Sequence, residues 1–248
     1  MSISDGIVVK VGRLAVVLLV LLVWELLSGW NELVPGIGDT VRALFTDVLP
    51  APRFLANLWS TMWVVIAGTL IAGVTGSLTA VALGASQFLN AAYGPVLNAL
   101  FSIPRILLYP VFLAALGITD SAKLWTAVLT GYFPIAINGI ASVRSLDPIL
   151  GKLGRSLCCS PWQMARHVYF PAAAPALLVA AKIAWSGTFL TVIGAEMFAA
   201  RAGLGMILMN AYTVRRYPDM FAAAALIVTI ALAGNMLLGR LERRYALS

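Results

Sequence analysis

Charged side chains are scarce in this sequence: Lys and Arg number 17 and Asp and Glu 10, together 11% of 248 residues. An average soluble domain carries about 25%. Cysteine occurs twice, as the neighbours Cys158 and Cys159. Adjacent cysteines bridge badly, because disulfide geometry wants Cα atoms about 5.5–6 Å apart, so a disulfide scaffold is excluded. A single histidine leaves acid–base catalysis little to work with. No Ser/His/Asp set, paired-carboxylate arrangement or HExxH run is present, and no GxxxxGK[ST] loop that would cradle ATP phosphates. Only 21 Gly and 12 Pro exclude collagen, and the shortage of charge excludes disorder.

What is abundant is apolar: 61% of the residues are hydrophobic. A water-soluble fold of this size has no way to hide so much apolar surface. The composition therefore predicts an all-α, polytopic integral membrane protein. The net charge of +7 would suggest nucleic acid on a soluble chain. Here the basic residues neither cluster nor interleave with aromatics, so no nucleic-acid partner is expected, and the sidedness of the charges becomes the useful question.

A spanning helix needs about 20 mostly apolar residues to cross about 30 Å of hydrocarbon. Six such spans are expected, near Leu14–Gly29, Leu58–Leu83, Tyr93–Leu116, Ala122–Val143, Ala174–Phe198 and Met220–Leu238. The first is read as an uncleaved anchor, since no small-x-small cleavage site follows it. Between the first two, Pro35, Gly36, Asp39, Pro50 and Pro52 punctuate the chain too heavily to span, and a short interfacial helix is expected around Val41–Val48. Three regions follow: 1–53 as first span and external segment, 54–240 as membrane core with a loop at 144–173, and 241–248 as a cytoplasmic tail. With the N-terminus inside, the inner segments hold nine basic residues (Lys10, Arg13, Arg144, Lys152, Arg155, Arg166, Arg240, Arg243, Arg244). The outer segments hold six (Arg42, Arg53, Lys123, Arg201, Arg215, Arg216). The positive-inside bias places both termini and the 144–173 loop in the cytoplasm.

That loop is patterned. A charged helical stretch, Ile149–Leu157, is followed by a break at Cys158-Cys159-Ser160-Pro161 and a second short helix, Trp162–Val168; Phe170-Pro171 and Pro175 then open a span. Ser160 is placed to cap the second helix with Pro161 at its first position. Leu150, Leu153 and Leu157, then Trp162, Ala165 and Val168, recur at helical spacing between Lys152, Arg155, Arg166 and His167. Each helix thus has an oily face, expected against the membrane domain, and a polar face toward water. An interfacial linker resting on anionic lipid would show the same pattern. Cys158, Cys159 and His167 offer at most three metal ligands, so structural thiols and no metal are expected.

The loop resembles the cytoplasmic coupling loop of bacterial ABC importer permeases, whose two short helices dock on an ATPase. The wider sequence is similar to the taurine, aliphatic-sulfonate and nitrate branch of type I permeases. The matching residues are Ile103-Pro104, Tyr109-Pro110, Leu116-Gly117, Ala122-Lys123, Phe133-Pro134, Asp147, Arg155-Ser156, His167-Val168, Pro171, Pro175, Ala195-Glu196 and Gly203-Leu204-Gly205, and they run from about Leu33 to Leu238. The resemblance implies a transport subunit rather than an enzyme, in the bacterial inner membrane. It implies an ATPase in two copies, holding ATP and Mg, an extracytoplasmic binding protein, and a second permease copy forming a homodimer. It also implies a small anion such as a sulfonate, taurine or nitrate; importers of thiamin-precursor pyrimidines and aromatic carboxylates resemble the same branch. Coupling to the ATPase would fall to Arg155, Ser156, Cys158, Ser160, Trp162, Ala165, Arg166, His167 and Pro171. Two positions depart from the pattern: Lys152 stands at the acidic position and Cys158 at the glycine of the bend. Cys158 must adopt another turn or carry the left-handed strain that glycine avoids.

Ionisable groups inside spans are costly and mark function by default. Arg105 sits in a span interrupted by Pro104 and Pro110, where it either meets an anionic solute or holds a carbonyl at a dimer seam. Tyr109 either lines the pathway or anchors a helix. Lys182 either lines the pathway or snorkels to the cytoplasmic interface. Glu196 is placed to bind the Gly203-Leu204-Gly205 loop or Arg201, closing an outer gate. Gly68, Gly73, Gly76 and Gly84 along the second span predict close helix packing. A self-contained secondary transporter or channel is the alternative; it would need inverted repeats or many intramembrane carboxylates, and only Glu25 and Glu196 qualify.

Overall fold

A computed structural model describes residues 3–31 and 33–246, apart from the side chains of residues 3–10, 13, 148, 155, 241 and 243–246. Every regular element among them is helical: α1 Ile3–Trp30, α2 Ile37–Ala43, α3 Phe54–Ala85, α4 Gln87–Phe101, α5 Tyr109–Leu116, α6 Asp120–Arg144, α7 Pro148–Ser156, α8 Pro161–Met164, α9 Phe170–Phe198, α10 Leu204–Thr213 and α11 Tyr217–Ala246. Four helical runs are long and apolar enough to cross a membrane: α3, α6, Pro161–Phe198 and Tyr217–Arg240. The pair α4 and Arg105–Leu116, bent by 85°, makes a fifth if it is one span. The sixth expected span lies on α1, whose apolar part, Leu14–Trp30, covers about 25 Å and meets only the lower limit for crossing.

The chain divides into two compact units, one made of the segments up to Leu55 and Ile207–Ile227, the other of Ala56–Met206 and the chain from Val228. In the first, the Trp24 indole donates to the Pro35 carbonyl at 3.0 Å and stacks obliquely on Phe221 at 5.8 Å. Glu25, given no role from sequence, accepts from the Ile37 amide at 3.1 Å and so satisfies an orphan donor of α2. The interfacial helix expected at Val41–Val48 begins earlier, at Ile37, and continues through a π turn over Leu44–Val48. Arg216 bridges Asp47 at 2.7 Å and Asp219 at 2.8 Å. The Thr46 hydroxyl and the Arg216 guanidinium hold the Asp47 carboxyl below its ordinary value.

The second unit is built on α3, α6 and α9. The small residues of α3 recur every fourth position and interlock with α6 one helical step at a time. A Cβ on Gly68 would fall 2.9 Å from Ala127, on Gly76 3.0 Å from Ile135, and on Gly84 2.5 Å from Val143. Between these, Gly131 receives Ala72 (2.9 Å) and Gly139 receives Ala80 (2.4 Å). Both ladders ascend together, so α3 and α6 run parallel with their backbones in close approach, as small-xxx-small packing in lipid requires. The expectation for Gly68, Gly76 and Gly84 holds, whereas Gly73 has nothing within 4 Å of a built Cβ. Helix α9 runs antiparallel to α6: Leu177 packs on Gly139 and Thr188 on Gly131.

Candidate transport-coupling site

At one end of α9 is the patterned loop. The first loop helix is Pro148–Ser156, and a Cβ on Gly154 would fall 1.9 Å from the Met164 sulfur, so α7 rests directly on the start of the second helix. Ser160 caps that helix as expected: its hydroxyl accepts from the Gln163 amide, and the Gln163 side chain accepts from the Ser160 amide at 2.7 Å. Cys158 takes the left-handed option, with φ 53°, so it bears the strain its side chain brings to a glycine position. The next amide, Cys159 N–H, donates to the Gly154 carbonyl at 3.0 Å and closes α7.

Two expectations for the loop need correction. The second helix does not end before Phe170: α8 passes through a π turn at Ala165–Tyr169 into α9, giving one helix over Pro161–Phe198. Pro171 lacks the N–H that an α-helical ladder would use there, and the wider π turn one step earlier absorbs the mismatch. The oily faces are only partly folded onto the described residues. Leu153, Leu157 and Trp162 are exposed, as is Ile149 beside them (56–68%); Leu150, Ala165 and Val168 are half-buried and Met164 is buried. Ser156, Cys158, Ser160, Arg166, His167 and Pro171 are exposed as well. Ser156 donates to the Lys152 carbonyl, and a His167 ring nitrogen stands 3.1 Å from the Gln163 carbonyl. The Arg155 side chain falls outside those described.

At the other end of α9 lies a polar knot that sequence reasoning found only in part. Glu196 is 2% exposed, and so is Lys123, which had been counted among the outer charges. Lys123 Nζ stands 3.3 Å from Glu196 Oε1 and 2.8 Å from Asp120, and also donates to the Ser60 hydroxyl and the Ala202 carbonyl. Thr61 donates to the Glu196 carboxylate at 2.8 Å and accepts from the Leu204 amide at 2.9 Å. The Gly205 amide donates to Glu196 Oε2, and the Gly203 amide to the Asn57 side chain, both at 3.0 Å. The glycines have steric cause: at φ 137° a Cβ on Gly203 would lie 2.1 Å from the Glu196 carboxyl carbon, and one on Gly205 2.5 Å from the Ile193 carbonyl. Glu196 therefore binds the Gly203–Gly205 loop as expected, but its ionic partner is Lys123, not Arg201. The available signal was a lysine three residues after Asp120 at the start of an apolar helix, and the stripe Asn57, Ser60, Thr61 on one face of α3.

The bent helix pair has one break rather than two. Helix α4 ends at Phe101, Pro104 bends the chain, and Pro110 sits in the first turn of α5, where a missing N–H costs nothing. Arg105 lies beside the bend and donates to the Phe101 and Ile103 carbonyls, with its guanidinium 4.6 Å from the Phe101 ring centre. It thus satisfies the carbonyls that the end of α4 leaves open. Tyr109 is an anchor: it is 1% exposed and its hydroxyl donates to the Ala199 carbonyl. Lys182 does not snorkel free but pairs with Glu242 at 2.8 Å.

Apolar helices of spanning length, the close-packed trio α3, α6 and α9, one bent helix pair and an exposed helical elbow define a polytopic membrane subunit. Residues 72–247 match the family described as binding-protein-dependent transport system inner membrane component, and the chain belongs to that family. Among relatives, it is 28% identical to the putative aliphatic sulfonates transport permease protein SsuC of Escherichia coli K12, over 86% of this chain and 81% of that one. It is 25% identical to the nitrate import permease protein NrtB of Synechocystis, over 94% and 88%. In fold it matches a chain of the MetNI methionine ABC transporter, solved in inward-facing conformations, with TM-score 0.69 and 21% identity, over 79% of this chain and 99% of that one. The protein is a permease subunit of an ABC importer, not an enzyme, and the reading as a self-contained transporter falls away.

Proposed function

We propose that two identical copies of this chain form the pathway of an importer for a small anion, handed over by an extracytoplasmic binding protein. Each copy seats one separate ATPase, which holds ATP and Mg, on the 144–173 elbow. Both chain termini and the elbow face the cytoplasm. The single observation that carries the reading is the uncovered apolar face of the elbow, Ile149, Leu153, Leu157 and Trp162, on a segment too charged to lie in hydrocarbon and in need of another surface to cover it.

The elbow is also mechanically suited to the task. Helix α7 is locked on Met164, and from Pro161 the helix runs unbroken to Phe198, about 56 Å at 1.5 Å per residue. Closure of the ATPase pair would displace the elbow, and the rigid helix would carry the displacement to Glu196 and the loop it holds. ATP drives this because it favours one conformation over the other by its differential binding. For the solute, the SsuC and NrtB relatives are named for aliphatic sulfonates and nitrate, both anions, and Arg105 stands at the bent span with only Nη1 engaged by carbonyls among the described residues.

The test uses natural side chains first. Cys158 and Cys159 are the chain's only cysteines, so a membrane-impermeant maleimide should label the protein in permeabilised cells and not in intact ones. Trp162→Glu and Ala165→Glu should then abolish co-purification of the ATPase while the permease remains monodisperse. Labelling in intact cells, or unimpaired assembly of both variants, overturns the docking assignment.

A further inference from the structure

Lys182, which pairs with Glu242, lines a pocket of about 330 Å³ between α9 and α11 together with Leu232, Asn235, Met236, Gly239 and Arg240. Its lining is graded. Leu232 and Met236, 56% and 64% exposed, lie on the deeper turns of α11; Gly239 and Arg240 lie where the apolar run gives way to charge. Measured along the helices, Lys182 is about 24 Å from Phe198 and Arg240 about 34 Å from Tyr217. Those lengths bracket the hydrocarbon thickness of about 30 Å, so in a bilayer that meets Phe198 and Tyr217 at its far side both cations lie at the near interface. Gly239 lies against Lys182: a Cβ there would sit 3.7 Å from Nζ, in ordinary contact. The side-chain oxygen of Asn235 is buried and meets no partner among the described residues, although an orphaned polar atom facing hydrocarbon is expensive.

We propose that this pocket binds the phosphodiester headgroup of an anionic phospholipid. Lys182 and Arg240 supply donors to the phosphate oxygens at the depth where a lipid carries them. Leu232 and Met236 receive the start of an acyl chain. A turn of the Asn235 side chain into the pocket lets a headgroup hydroxyl, or the water that accompanies it, donate to its oxygen. Glu242 holds Lys182 in place and competes with the phosphate for it, so the site has a built-in restraint on affinity. Basic pockets between transmembrane helices at the interface select anionic headgroups by this logic. The inference needs the chain to sit in a bilayer but does not depend on what it transports or on which ATPase drives it.

The experiment is native mass spectrometry of the full chain released from nanodiscs holding equal amounts of phosphatidylglycerol and phosphatidylcholine with matched acyl chains. At least a fivefold excess of retained phosphatidylglycerol is expected for the wild type. Arg240→Gln and Lys182→Gln should each reduce the excess severalfold, and Glu242→Gln, which frees Lys182, should raise it. Arg215→Gln, a cation outside the pocket, should leave it unchanged. Inorganic phosphate at millimolar concentration should not displace the lipid; displacement would mark a free-anion site and overturn the lipid assignment. Equal retention of the two lipids, or a Glu242→Gln change in the opposite direction, also overturns it.

Discussion

Replacing Lys123 by Met keeps the length of the side chain and removes its charge. The Glu196 carboxylate then stays buried with Thr61 and the Gly205 amide as donors, but without its cation. Removing one partner of a buried ion pair costs about 3–5 kcal/mol. Glu196→Gln is no milder, although the shape is kept. Lys123 donates to Oε1 and the Gly205 amide to Oε2, so whichever position the new amide nitrogen takes, it faces a donor. The double variant differs in kind. With Lys123 gone, the amide nitrogen can turn to the vacated side, where the Ser60 hydroxyl and Ala202 carbonyl lost their donor, and its oxygen can keep the Gly205 amide. The two costs should therefore fail to add, with a favourable coupling of about 2–3 kcal/mol. Thermal unfolding in one detergent suffices as an assay: each single variant should lose roughly 6–20 °C and the double variant less than the sum. Strict additivity would refute the reasoning, because it would mean that the two side chains do not share a site.

Three further outcomes are expected. Gly84→Ala should destabilise by about 1–3 kcal/mol because its Cβ would fall 2.5 Å from Val143; Gly73→Ala, with open space around it, should be neutral or gain up to about 1 kcal/mol of helix propensity, and unfolding of the two side by side checks both. Cys158→Gly should relieve the left-handed strain by about 1 kcal/mol, read as slower hydrogen exchange at the Cys159 amide; faster exchange would place the strain elsewhere. Asp47 titrates below its ordinary value of 3.8 because of Thr46 and Arg216, so its contribution is present above pH 3.8 and is lost as the pH falls through the lowered value. A carboxyl NMR titration should show this, and Arg216→Gln should move the midpoint upward.

Sidedness rested on a modest bias, and the burial of Lys123 changes the count to nine inner against five outer basic residues. A buried, paired lysine is not a loop charge of the kind the rule counts.

What the sequence determined by itself was whatever depends on one segment and its solvent. Run lengths of apolar residues measure themselves against hydrocarbon, so α3, α6, α9 and α11 were readable within a few residues. Ser160, Pro161 and Gln163 supply their own cap geometry, so the start of α8 was readable too. The tertiary structure decided every question about what stands opposite. Helical periodicity tells which residues share a face but not which face of which helix they meet, and so Lys123 and Glu196, on α6 and α9, gave no sign of each other. The same limit hid the interlock of α3 with α6, since a small residue every fourth position says only that something comes close. It also hid the exposure of Leu153, Leu157 and Trp162: an amphipathic pattern predicts an apolar partner, and only packing reveals that the described residues leave these three uncovered.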